Sequence, residues 1–168
     1  MSDLQRWNDL TKEDRREAAS GWCGTSRFAE TLAGHRHFAS IEEAHQIADR
    51  CLDAFADSDW LEAFASHPRL GDLKSLQMKF AGNRQWSADE QSGTESADPN
   101  LLRRLADLNE DYFRRFGHIF ILNATGVTAN QMVDAIGQRL GNSPRDERRV
   151  AAEHQRQITH LRIDKFFQ

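Results

Sequence analysis

Proline is confined to three positions, 68, 99 and 144. Its ring carries no amide donor and clashes with the preceding helical turn, so each proline marks a place where a helix stops or starts. The stretches between them are free to be helical. Their apolar residues recur every three or four positions, and no long alternating run or Asn-Gly hairpin pair competes with that period. The expected fold class is therefore all-α. At 168 residues, with ten Phe and four Trp to fill a core, a single compact multi-helix domain over residues 1–168 is the simplest organisation.

Capping residues place the elements. Thr11 with Asp14 starts a helix to about Ser20, which Trp22-Cys23-Gly24 breaks. A short helix from Thr25 or Ser26 carries Phe28 and Leu32 to Gly34. Ser40 with Glu43 reads as a capping box, opening a helix to about Ala56 that buries Ala44, Ile47, Ala48, Cys51, Leu52 and Phe55. Ser58-Asp59 caps a helix with Trp60, Leu61 and Phe64 on one face, and that helix delivers His67. Leu73 to Phe80 can form a turn or two of helix before Gly82-Asn83, and the polar run to Asp98 reads as loop. Asp98-Pro99 then opens the clearest amphipathic helix, with Leu101, Leu105, Leu108, Tyr112 and Phe116 on one face and Gly117 at its end. His118 to Leu122 is a buried, extended or irregular apolar run. Thr128 with Gln131 caps a helix through Met132, Ile136 and Leu140. Ser143-Pro144 starts the last helix, whose expected inward residues are Val150, His154, Ile158, Leu161 and Phe166.

Charge and composition narrow the function. A formal net charge of -4, with arginine clusters interleaved by acids, argues against nucleic acid as a partner. No apolar run reaches membrane-spanning length and the N-terminus shows no signal pattern, so neither membrane nor export is expected. Cys23 and Cys51 read as reduced, partly buried thiols of a cytoplasmic protein. Seven histidines invite a metal, but there is no His-Glu-x-x-His helix and no Cys-x-x-Cys pair, so no metal site is expected. A nucleophile elbow and a glycine-rich phosphate loop are also absent.

Four places carry possible chemistry. In His67-Pro68-Arg69-Leu70-Gly71-Asp72-Leu73 the proline restricts the backbone that holds the imidazole. This is either a solvated helix end or a stiffened catalytic histidine. Ser87-Ala88-Asp89-Glu90 is a capping pattern, yet with Gln91 it also forms a polar cluster able to face a ligand. Arg162 lies among Leu161, Ile163 and Phe166, where it either snorkels to solvent or holds a carboxylate in a forked pair. Gly24-Thr25-Ser26 precedes a helix and reads as a cap, with anion binding as the alternative.

His67-Pro68-Arg69-Leu70-Gly71-Asp72, then Trp86-Ser87-x-x-Glu90-Gln91-x-Gly93, then Tyr112-x-x-x-Phe116-Gly117-x-x-Phe120-Ile121, then Leu161-Arg162, together resemble the OHCU decarboxylases of urate breakdown. OHCU is 2-oxo-4-hydroxy-4-carboxy-5-ureidoimidazoline. The resemblance runs the length of the chain in the same order, and Trp22-Cys23-Gly24 with Arg27 falls where bacterial members carry a similar group. It implies an all-helical homodimer without metal or organic cofactor, acting on a small ureidoimidazoline to give (S)-allantoin. It implies that His67 is the catalytic acid/base and Glu90 its essential partner. Pro68, Ser87, Gln91, Arg162 and backbone groups of Ile119, Phe120, Ile121 and Leu122 would bind the substrate. Two departures stand out: His37 occupies the middle of an Arg-Pro-Phe-like group, and Asn123 replaces a small residue or Cys beside the binding backbone. A helical module that binds ureides without turnover, or a scaffold without a small-molecule site, are the competing classes.

Overall fold

The computed structural model describes residues 3–69 and 98–168, and among these it contains eight α-helices and no strand. They are α1 (Asp3–Asn8), α2 (Lys12–Trp22), α3 (Ser26–Gly34), α4 (Ile41–Asp53), α5 (Asp57–Ala65), α6 (Pro99–Phe116), α7 (Ala129–Arg139) and α8 (Pro144–Phe166). The expected helix at Leu73 to Phe80 lies outside the described residues, as do Ser87, Glu90 and Gln91. The chain divides into two compact units, one of Met1–His67 with Ala152–Gln168 and one of Pro68–Ala151.

The first unit is built on aromatic residues from its two chain segments. Trp7 stacks on Trp22 and on Phe38, each at 5.0 Å between centroids, while Phe166 meets the Trp22 ring edge-on at 5.3 Å. Phe28, Leu32, Leu52, Ala63 and Ile163 complete the buried core. Arg15 is buried beside it and is satisfied locally, donating from Nε to the Ala33 carbonyl at 3.1 Å and from Nη1 to the Leu10 carbonyl at 2.6 Å.

Most caps sit where the sequence placed them. Thr11, Thr25 and Ser40 each accept a bond from the amide three residues on. The details differ at two of the helices. Glu43 does not reach back to Ser40; its carboxylate takes the Ala39 amide at 2.6 Å, one residue earlier. The helix α5 begins at Asp57 rather than after Ser58-Asp59, because the Asp59 carboxylate accepts the Ala56 amide at 2.9 Å and makes Ala56 the cap. Leu61 faces outward, 36% exposed, while Ala63 and Phe64 are buried.

The second unit packs α6 on α7 through Leu102, Leu105, Tyr112, Phe116, Met132, Val133 and Ile136. Asp98 caps α6 with Pro99 at its first position, and Gly117 closes it in the left-handed region at φ 74°, which glycine adopts without a Cβ penalty. The buried stripe includes Leu102, with Leu101 and Leu108 at its margins. Thr128 and Gln131 form the complete reciprocal box at the start of α7.

The last helix departs most from expectation. Its buried positions are Glu147, Ala151, Gln155, Thr159 and Ile163, a strict four-residue series, and Leu161 is 45% exposed. Val150, His154 and Ile158 are only half-buried. An apolar period could not locate this face, because three of its five residues are polar.

Candidate functional site

His67 is delivered by α5, and α5 is clamped to the start of α3. The Ser26 amide donates to Glu62 Oε1 at 3.1 Å, and Arg27 Nη1 pairs with Asp59 Oδ2 at 2.9 Å. Gly24 allows the close approach: a Cβ there would lie 2.3 Å from Ser66 Cβ. The turn continues one residue past Ser66 through a bond from the His67 amide to the Phe64 carbonyl at 3.2 Å. Pro68 follows and disfavours further helix.

The His67 ring is half-buried and its Nε2 lies 2.5 Å from Oε1 of Gln155. Gln155 is fully buried, as is Thr159 one turn later. Gln155 Nε2 donates to Thr159 Oγ1 at 3.2 Å, and the Thr159 hydroxyl donates to the Gln155 carbonyl at 2.9 Å. Burial lowers the His67 pKa below the ordinary histidine value; the bond to Gln155 opposes this, and the nearby Arg162 charge adds to the lowering. The imidazole is thus held neutral under conditions where a free histidine is partly charged.

Arg162 does not make the forked carboxylate pair that was one reading of it. Among the described residues it forms no ion pair, and Nη1 donates to the carbonyls of Gly21 at 3.2 Å and Trp22 at 3.4 Å. Those bonds fix the arginine at the end of α2 while leaving its charge close enough to act on His67 and on Cys23. Cys23 is buried and its thiol is pushed up to about 12, chiefly by desolvation.

The second unit holds the other expected contributors. His118 to Leu122 is irregular backbone, with His118 and Ile121 buried and Ile119, Phe120 and Leu122 half-buried. Arg139 organises this run: Nη1 donates to the Ile121 carbonyl at 2.7 Å, and the guanidinium stacks 4.2 Å from the Phe120 ring centroid. Glu147 anchors Arg139 in turn, accepting from Arg139 Nε at 2.7 Å, from the Tyr112 hydroxyl at 2.5 Å and from Asn142 at 2.9 Å. Pro68 is exposed, and Arg69 is tied to α6 by an ion pair to Glu110 at 2.6 Å and by stacking on Phe113 at 4.3 Å.

Described residues therefore bring His67 together with Gln155 and Arg162, and set the 119–122 backbone on Arg139. Sequence reasoning did not single out Gln155 or Arg139. Glu147, Gln155 and Thr159 recur at multiples of four, but polar residues at that spacing ordinarily mark a solvated helix face, so the sequence carries no signal for Gln155. Among the described residues no group of His, Cys, Asp or Glu is arranged to hold a metal ion, and no helix is long and apolar enough to cross a membrane.

Residues 8–164 match the model of the OHCU decarboxylase family. A uric acid degradation bifunctional protein of Arabidopsis thaliana is 32% identical over 145 residues, 86% of this chain and 45% of that protein. The chain thus spans less than half the length of that bifunctional relative, and 32% of one from Bacillus subtilis. A 2-oxo-4-hydroxy-4-carboxy-5-ureidoimidazoline decarboxylase of Mus musculus is 28% identical over 80% of this chain and 75% of its own. A crystal structure of OHCU decarboxylase in the presence of (S)-allantoin superposes with a TM-score of 0.68 at 33% identity, covering 88% of this chain and 95% of that one.

Proposed function

This chain belongs to the OHCU decarboxylase family, and on that premise we propose that it converts 2-oxo-4-hydroxy-4-carboxy-5-ureidoimidazoline to (S)-allantoin and CO2. The substrate bears a hydroxyl and a carboxylate on one ring carbon, next to a ring C=N bond. When the carbon–carboxylate bond breaks, its electron pair forms a C=C bond to the neighbouring ring carbon, and the imine pair moves onto nitrogen. That nitrogen takes a proton. The hydroxyl then loses its proton as the ring carbonyl forms, and the neighbouring carbon gains one. One net proton comes from solvent. The substrate's own imine accepts the electrons, so the protein's tasks are orientation, charge placement and protonation from a single face.

In this reading His67 is the acid/base that moves these protons and Glu90 is its essential partner. Pro68, Ser87, Gln91, Arg162 and the backbone of Ile119, Phe120, Ile121 and Leu122 bind the substrate. Roles for Ser87, Glu90 and Gln91 come from the family motif. The observation that carries the reading is the half-buried, depressed-pKa imidazole of His67 with the Arg162 charge beside it. A neutral imidazole can accept a proton at physiological pH, and a nearby cation can hold a carboxylate or a carbonyl edge. Residues 1–168 act as one domain of this type, a homodimer is the assembly that the family resemblance implies, and the two buried free thiols fit a cytoplasmic setting.

The test adds the protein to urate oxidase and the hydrolase that forms the substrate, and follows allantoin by circular dichroism. A circular-dichroism signal from one enantiomer should build up faster than the spontaneous reaction gives racemate. Racemic allantoin at the uncatalysed rate refutes the activity. His67→Asn should lose most of the rate while the far-ultraviolet dichroism of a helical protein persists, and an unchanged rate removes His67 from the chemistry.

A further inference from the structure

We propose that Gln155 is a positioning residue that locks His67 in the Nε2–H tautomer, so that Nδ1 is the nitrogen that exchanges a proton with the substrate. The inference rests on the decarboxylase reading for what Nδ1 does, and on hydrogen-bond geometry alone for which nitrogen is free.

The chain of donors runs one way. A hydroxyl has one hydrogen, and that of Thr159 is directed to the Gln155 main-chain carbonyl, one turn back on α8, at 2.9 Å. Its oxygen is left to accept, and it accepts from the Gln155 side-chain amide nitrogen at 3.2 Å. An amide group presents nitrogen on one side and oxygen on the other, so its oxygen faces His67, at 2.5 Å from Nε2. A carbonyl oxygen only accepts. Nε2 must therefore carry the hydrogen, and the neutral ring then has its lone pair on Nδ1. Among the described residues Nδ1 has no hydrogen-bond partner.

Burial makes the arrangement strict. Gln155 and Thr159 are both 0% exposed, so no water can substitute freely for a reversed amide. A flipped Gln155 would set its amide oxygen against a Thr159 oxygen whose hydrogen is already placed on the Gln155 main-chain carbonyl, leaving two acceptors face to face, and would turn its NH2 toward His67 Nε2. The depressed pKa of His67 is consistent with a ring that is neutral, and hence tautomerically defined, near pH 7.

Long-range proton–nitrogen NMR of the intact protein at alkaline pH reads the tautomer directly, with the His67 signals assigned by their loss in His67→Asn. The expected pattern is a pyrrole-like Nε2 and a pyridine-like Nδ1. A pyrrole-like Nδ1 overturns the proposal. Thr159→Val keeps the shape but removes the acceptor that orients the amide, so the Nδ1–H form should gain population. kcat should fall by about ten-fold or more, within the roughly 100- to 10,000-fold that a positioned acid or base supplies. KM should move little. Gln155→Glu presents an acceptor in either orientation. Placed in the Thr159→Val background it should restore the Nε2–H pattern and much of kcat, with the acid limb of the pH profile moved upward by the added negative charge. A merely structural Gln155 predicts lowered thermal stability with unchanged nitrogen shifts and unchanged kcat, and that result also overturns the proposal. If the wild-type protein turns over no substrate, the decarboxylase reading fails, and the nitrogen shifts still decide the tautomer.

Discussion

Arg139 donates to the carbonyl of Ile121 across 18 positions of sequence, at 2.7 Å, and so ties helix α7 to the irregular apolar run of residues 118–122. The bond is charge-assisted and its donor is itself held by a fully buried carboxylate, Glu147. A backbone segment outside any helix thereby acquires a fixed direction.

Removing Glu147 tests that anchor. In Glu147→Ala the Arg139 charge, the Tyr112 hydroxyl and the Asn142 amide all lose their acceptor in a buried site. Breaking such a pair from one side costs about 3–5 kcal/mol, which denaturant unfolding would read directly. Tyr112→Phe removes one bond to a charged acceptor and should cost about 1.5–3 kcal/mol. If Glu147→Ala unfolds at the wild-type midpoint, the network is not what holds the second unit.

Gly24→Ala tests the seat of His67. The new Cβ would meet Ser66 Cβ at 2.3 Å, so the end of α5 must shift. Overpacking of this kind costs about 1–3 kcal/mol, and the displaced His67 should lower kcat alongside. Adding Ser66→Gly removes the opposing Cβ and should recover both stability and rate. Stability and rate measured on the single and double variants check this, and a double variant no better than Gly24→Ala places the effect elsewhere.

The sequence made the helices legible because capping is local: Thr11, Thr25, Asp98 and Thr128 announce their helices within four residues. It failed on the inward face of α8, where Glu147, Gln155 and Thr159 are buried by partners up to 88 positions away. No periodicity rule finds a buried polar stripe, since its burial depends on satisfaction by distant groups. His67 was legible from the proline that follows it as one of two readings, a solvated helix end or a stiffened histidine. Its partner Gln155 was not, because nothing near Gln155 in the chain marks it. Arg162 was visible as an anomaly, but its hydrogen bonds run to main-chain carbonyls, which have no signature in sequence.

Arg69 should matter little to stability despite its place in the His67 motif. Its pair with Glu110 is half-exposed on both sides, and such pairs contribute about 0–1 kcal/mol. Stacking on Phe113 adds about 0.5–1 kcal/mol at an exposed site. Arg69→Met, which keeps most of the stem over the ring, should unfold within about 1 kcal/mol of wild type by the same bounds. A loss of several kcal/mol in denaturant titration would show that Arg69 holds something other than α6.

The pH dependence follows from the direction of the His67 shift. Burial and the Arg162 charge lower its pKa in the folded protein, and the unfolded chain keeps the ordinary value of about 6.5. Between the two values the unfolded state binds a proton that the native state does not. Stability therefore falls as pH drops through that window, and is fully regained above about 6.5. His118 shifts in the same direction, chiefly from burial, and adds to the same slope. His67→Asn should flatten the dependence in part, with His118 supplying the remainder, as unfolding at a series of pH values would show. Arg162→Gln removes a nearby positive charge, so the NMR titration midpoint of His67 should rise. It should stop short of the free value, because desolvation is the larger cause and remains. A midpoint unchanged in Arg162→Gln would place the arginine too far away to tune the histidine.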